Sequence, residues 1–90
     1  MATIRFTPIL SRFFPELDNR TLPAGTVADL LKQLEGEYPG LSAYLLDDQG
    51  ALRQHVNIFV DGKKIRDQST LSDQVGKGQE VFVMQALSGG

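Results

Sequence analysis

The stretch Thr26-Val27-Ala28-Asp29-Leu30-Leu31-Lys32-Gln33-Leu34-Glu35-Gly36-Glu37-Tyr38-Pro39-Gly40 decides the architecture. Val27, Leu30, Leu31, Leu34 and Tyr38 recur at helical spacing and make one apolar stripe, with Asp29, Lys32, Gln33, Glu35 and Glu37 on the other side. Thr26 is a good N-cap, and Asp29 places a carboxylate at the positive end of the helix dipole. Pro39-Gly40 stops the helix. A single helix with one apolar face needs a second layer to cover it.

The flanking sequence predicts strands. Residues 2–7 alternate Ile4 and Phe6 against Thr3, Arg5 and Thr7 until Pro8 ends the ladder. Phe13, Phe14 and Pro15 fall in a turn, and residues 18–22 form a second short strand closed by Pro23. Beyond the helix, residues 41–46 predict a helical turn capped by Ser42, followed by the loop Asp47-Asp48-Gln49-Gly50. Residues 55–60 form a strand ending at the tight-turn pair Asp61-Gly62, and Lys64-Ile65 begins the return strand. Leu71 and Val75 lie four apart and predict another short turn over residues 69–75, Gly76 to Gly78 breaks the chain, and residues 80–87 form the last strand. The order predicts an α+β fold, a mixed sheet of four to five strands over one main helix. A right-handed crossover then lays the first and last strands side by side and parallel. This is the β-grasp arrangement. It divides the sequence into a domain over residues 1–86 and a flexible tail over residues 87–90.

Ninety residues with 41% hydrophobic and 22% charged side chains describe one ordinary globular core. Nothing is apolar for long enough to span a bilayer. The opening residues predict no secretory signal, and the expected address is cytoplasmic. With no cysteine, there is no disulfide, thiolate metal site or thiol nucleophile. Nine basic residues against eleven acidic give a net charge of −2; the one basic cluster is Lys63, Lys64 and Arg66. Without a basic stripe, nucleic acid is not an expected partner.

Side chains for catalysis are scarce. His55, the single histidine, reads as a surface or capping residue at the mouth of a strand. No serine sits in a nucleophile-elbow pattern. Asp47-Asp48 fits no calcium loop, and Gly76-Lys77-Gly78 fits no phosphate-cradling loop. No catalytic or metal-binding residue is assigned. Two other features carry more. If Val56, Ile58, Val60, Val81 and Val83 face the helix, then Phe59, Phe82 and Met84 share the opposite face as an apolar patch of the kind partners bind. The alternative register of one strand buries the phenylalanines instead. The second feature is Leu87-Ser88-Gly89-Gly90: two glycines without Cβ atoms can enter a narrow channel and present a carboxylate to a nucleotide phosphate.

The element order, Val60-Asp61-Gly62, the segment Val81-Phe82-Val83-Met84 and the ending Ser88-Gly89-Gly90 resemble the MoaD/ThiS family of ubiquitin-like sulfur carriers. Arg53-x-x-Val56-Asn57-Ile58-Phe59-Val60, after a long connection, and Pro8-Ile9-Leu10 after the first strand are most similar to its CysO-type branch, which is associated with cysteine biosynthesis. Other branches serve molybdopterin or thiamine synthesis. The resemblance implies a carrier that is not itself an enzyme. An E1-like enzyme spends ATP to adenylate the carboxylate of Gly90, sulfur displaces AMP, and the resulting thiocarboxylate serves an acceptor. That acceptor would be a cysteine synthase-like enzyme or the large subunit of molybdopterin synthase. Gly89 and Ser88 are then the tail and Met84 the family's contact position; Phe59, Phe82 and Leu87 extend the partner surface. No cofactor is bound. A ubiquitin-like modifier conjugated through Gly90, and a non-covalent β-grasp module, are the competing readings.

Overall fold

A computed structural model describes residues 1–12, 14, 15, 17 and 19–85. Its five-stranded sheet contains β1 (Ala2–Phe6), β2 (Arg20–Leu22), β4 (Val56–Val60), β5 (Lys63–Lys64) and β7 (Glu80–Gln85), in the order β2-β1-β7-β4-β5. The central pair β1 and β7 is parallel, and the other three pairings are antiparallel. The helix α1 (Val27–Glu37) buries Val27, Leu30, Leu31 and Leu34 in one core with Ala2, Ile4, Val56, Ile58, Val81 and Val83. This is the expected β-grasp arrangement. Because side chains alternate across a strand, this burial fixes the register and sends Phe59, Phe82 and Met84 to the opposite face.

The start of α1 is built as its sequence reads. The Thr26 hydroxyl accepts from the Asp29 backbone N–H at 3.1 Å, and the Asp29 carboxylate accepts from the Thr26 N–H at 3.1 Å. This reciprocal capping box satisfies two N–H groups that the helix itself cannot. The Val27 and Ala28 N–H groups donate to the carbonyls of Asp73 and Leu71.

Several expectations need correction. Residues 74–75 are not a turn: β6 (Gln74–Val75) pairs with β3 (Gly25–Thr26) as a separate two-stranded sheet at the mouth of α1. The strand placed over residues 18–22 is described as Arg20–Leu22, and Asp18 lies outside the described residues. The connection after Pro8 contains a 3-10 turn, Pro8–Arg12. Ser42 does not cap α2 (Leu41–Leu45). Instead, Glu35 reaches across from α1, and its two carboxylate oxygens accept from the N–H groups of Gly40 and Ser42 at 2.9 and 2.8 Å. Two charge-assisted bonds from one side chain outweigh a local hydroxyl.

The loop before β6 is organised by carboxylates. Asp67 accepts from the N–H groups of Ser69, Thr70 and Ser72 and from the hydroxyls of Thr70 and Ser72. Asp73 accepts from the N–H groups of Arg66 and Asp67 at 3.0 and 2.7 Å. These bonds hold buried Leu71 at a positive φ of 59°. The Ser72 and Thr70 hydroxyls hold the Asp67 carboxyl well below the usual carboxylate range. Backbone N–H groups lower Asp29, Glu35 and Asp73 in the same direction. A folded-state pKa depressed below the unfolded one gives stability that is present above the unfolded value and lost as pH falls. Thermal unfolding followed by circular dichroism should therefore show a midpoint falling below about pH 4. Asp67→Asn, which cannot regain charge, should flatten that fall. A midpoint level down to about pH 2 would contradict the assigned bonds.

Candidate functional site

The face of the sheet opposite α1 is uncovered among the described residues. In register, Arg5 of β1 stands beside Phe82 of β7, Phe82 beside Phe59 of β4, and Phe59 beside Lys64 of β5. One row therefore crosses four strands, with two aromatic rings between two cations. Met84 stands beside Asn57 in the row towards the C-terminal end of β7. Phe59, Phe82 and Met84 are half-buried and do not pack against the core, whereas Phe6, Phe14, Tyr38, Tyr44 and Val60 do. Together they line an open depression of about 760 Å³, shared with Arg5, Pro8 and Gly62. The alternative register, with the phenylalanines in the core, is excluded.

The turn beside this row is a type I′ hairpin connection, with Asp61 at φ 50° and Gly62 at φ 81°. Asp61 also ties the start of β7. Its carboxylate accepts from the Glu80 N–H at 2.8 Å and from the Gln79 side-chain amide at 3.1 Å. Arg5 reaches Glu80 at 3.4 Å, but both side chains are about half exposed, at 54% and 52%, so the pair adds little stability.

At the far end of β7, two side chains from elsewhere in the chain meet Gln85. Its backbone N–H donates to the Thr7 hydroxyl at 3.1 Å, and its side-chain amide donates to the Tyr44 hydroxyl at 3.0 Å. Tyr44 in turn meets Phe14 edge to face, with ring centroids 5.9 Å apart. Gln85, the last described residue, is thus held by Thr7, just past the end of β1, and by Tyr44 of α2. A smaller hollow of about 300 Å³ lies beside it, lined by Tyr44, Arg53, His55 and Gln85 among others. His55 is exposed there, in the turn before β4, as its sequence context predicts.

The structure brings Phe59, Phe82 and Met84 together. Leu87, Ser88, Gly89 and Gly90, and with them the expected boundary at residues 86 and 87, lie outside the described residues. Sequence reasoning missed the flanking cations and the Gln85 anchor. Lys64 was visible as part of the basic cluster, but only the hairpin register sets it beside Phe59. The Tyr44–Gln85 contact joins residues 41 apart and leaves no local signal.

Against known families, the ThiS family profile matches residues 12–90. The chain belongs to the ThiS family. Small archaeal modifier protein 3 of Haloferax volcanii is 34% identical over 65 residues, 72% of this chain and 70% of that protein. Sulfur carrier protein CysO of Mycobacterium tuberculosis is 31% identical over 67 residues, 72% of each chain. The crystal structure of M. tuberculosis CysO covers 97% of this chain and 100% of its own, with a TM-score of 0.81 and 25% identity. CysO in the Amycolatopsis orientalis BexX/CysO complex covers 100% of both chains with a TM-score of 0.83; at 21% identity it speaks to the fold alone. This ThiS-family chain thus shares its fold and family with ubiquitin-like sulfur carriers of the CysO kind and with small archaeal modifiers. Among its described residues, no helix is long and apolar enough to cross a membrane.

Proposed function

We propose that this chain is a sulfur carrier whose Gly90 carboxylate is the reacting group. The observation that carries this reading is the relationship to sulfur carrier protein CysO over 72% of each chain. The reading requires Gly90 to bear the free C-terminal carboxylate. That carboxylate attacks the α-phosphorus of ATP on an E1-like enzyme, releasing pyrophosphate and leaving an acyl adenylate. A sulfur nucleophile attacks the acyl carbon, AMP departs with the bonding electrons, and Gly90 ends as a thiocarboxylate. The folded body supplies binding energy through Phe59, Phe82, Met84 and Leu87, while Ser88 and Gly89 give access to the channel. The chain acts as co-substrate rather than catalyst and holds no cofactor of its own; ATP belongs to the activating enzyme. The favoured acceptor is a cysteine synthase-like enzyme, by similarity to the CysO kind, with molybdopterin or thiamine assembly as the other destinations.

A second reading has its own support. The 34% identical relative is a small archaeal modifier protein, and a lysine amine can attack the same adenylate in place of sulfur. Intact mass spectrometry after incubation with an E1-like enzyme, ATP and sulfide separates the two. A gain equal to exchanging one oxygen for sulfur is expected. Pyrophosphate release without that gain would favour conjugation instead. Neither event would leave a non-covalent β-grasp module.

A further inference from the structure

The end of β7 is fastened more heavily than the close of a strand requires. Thr7 follows β1, and its N–H donates to the Val83 carbonyl at 3.1 Å. The next residue, Pro8, has no N–H, and the Thr7 carbonyl is taken by the Leu10 N–H of the 3-10 turn at 3.0 Å. Backbone pairing of β1 with β7 therefore stops here. The Thr7 hydroxyl carries it one bond further: it donates to the Val83 carbonyl at 3.2 Å and accepts from the Gln85 N–H at 3.1 Å. On its other side Gln85 pairs with Val56 of β4. A closed circuit completes the fastening. The Gln85 amide donates to Tyr44 of α2, and the Arg53 side chain donates twice to the carbonyl of the adjacent Ala43, at 3.2 and 3.1 Å. The Arg53 carbonyl accepts from the Val56 N–H at 3.0 Å, which returns the circuit to Gln85.

Part of this fastening works against stability. Gln85 Oε1 is buried and finds no partner among the described residues. A buried acceptor without a donor destabilises the fold, and an apolar side chain of similar length would avoid that. Stability alone therefore does not account for an amide at this position. What the amide adds is direction, because it ties the last described residue of β7 to α2 as well as to its sheet neighbours. Gly90 lies five residues further on, at most about 17 Å of extended chain. Over that reach, a change of about 10° in heading at Gln85 moves the tip by about 3 Å. We infer that Thr7, Tyr44 and Gln85 are positioning residues for the reaction at Gly90, setting the heading from which its carboxylate reaches the activating enzyme. The inference deepens the proposed function and rests on its adenylation step, which the carrier and modifier readings share. Loss of the three should slow a docked chain without weakening its docking.

The test is ATP–pyrophosphate exchange by an E1-like adenylating enzyme, measured against the concentration of the full chain. The double variant Gln85→Met/Tyr44→Phe removes the hydrogen bond and the orphaned oxygen together while keeping both shapes. Its thermal midpoint should stay at or above that of the parent. A misplacement of about 1 Å commonly costs a hundredfold in rate, and the enzyme's grip on the tail offsets part of that. The double variant should therefore lose about tenfold in kcat, with KM within about twofold of the parent. Thr7→Val, which keeps the shape without the hydroxyl, should also lower kcat, and Thr7→Ser should restore it. Parental kcat in the double variant overturns the inference, whatever its midpoint. A raised KM with kcat unchanged also overturns it, making these residues a contact with the enzyme. A kcat that falls only in step with the midpoint, with no rescue by Thr7→Ser, reduces them to structural residues. A parent chain that supports no exchange removes the adenylation step and this inference together. Exchange that depends on the three residues but brings no sulfur gain rejects the carrier reading and supports this inference.

Discussion

A chain lacking Gly90 should accept no measurable sulfur while its thermal midpoint stays where it was. Deletion moves the terminal carboxylate back by one residue, about 3.5 Å of extended chain. Nucleophilic attack on a bound nucleotide tolerates little misplacement, and about 1 Å commonly costs a hundredfold in rate. Gly89, left as the terminus, would hold an equivalent carboxylate at the wrong depth, so the loss should exceed about a hundredfold. Stability should not follow. Among the described residues every buried apolar side chain lies between Ala2 and Val83, and Gln85, at the end of β7, is held by Thr7 and Tyr44. Intact mass and ATP–pyrophosphate exchange measure the first effect; circular dichroism measures the second. A deleted chain that loads at the parental rate would remove Gly90 from the chemistry. One that loses its midpoint would show that the tail belongs to the folded body. Adding a residue after Gly90 should be as harmful as deletion, because it masks the carboxylate in a peptide bond.

The parts of this fold legible in the sequence are those where a period runs long enough to exclude its rival. Residues 26–38 repeat an apolar position through three turns between a cap and a Pro-Gly stop. Val56–Val60 and Glu80–Gln85 alternate over five and six residues. The same alternation puts Phe59, Phe82 and Met84 on the face away from the core, where the strand register has them. What escaped was short or non-local. A two-residue strand such as β6 has no period, and the i, i+4 spacing of Leu71 and Val75 imitates a helical turn. Leu71 instead sits at positive φ because Asp67 and Asp73 bind the backbone around it. Glu35 displaced Ser42 as the cap of α2 from another helix, a contact that only folding creates. The cations beside the aromatic row needed three strand registers at once. The family was legible through resemblance, since no single side chain here announces chemistry.

The sharpest check on the two faces of the sheet comes from neighbouring residues of β4. Ile58 is fully buried at the centre of the core, whereas Phe59 lies on the opposite face without packing against that core. Ile58→Ala should cost about 3–4 kcal/mol from lost burial and the cavity left behind. For a domain of this size that lowers the thermal midpoint by about 15–25 °C. Phe59→Ala removes a larger side chain yet should cost only about 1 kcal/mol, the worth of a cross-strand pair with Phe82. Side-chain size alone predicts the opposite order, so calorimetric scans of the two variants decide which face holds the core. Binding to the activating enzyme should invert the ranking: Phe59→Ala loses affinity as a folded chain, and Ile58→Val, about 1 kcal/mol less stable, keeps it. Were Phe59→Ala the more destabilised variant, the register that sends both rings outward would be wrong, and the partner surface would go with it. Stability and recognition are thus written on alternate residues of one strand, and a one-residue slip would exchange them.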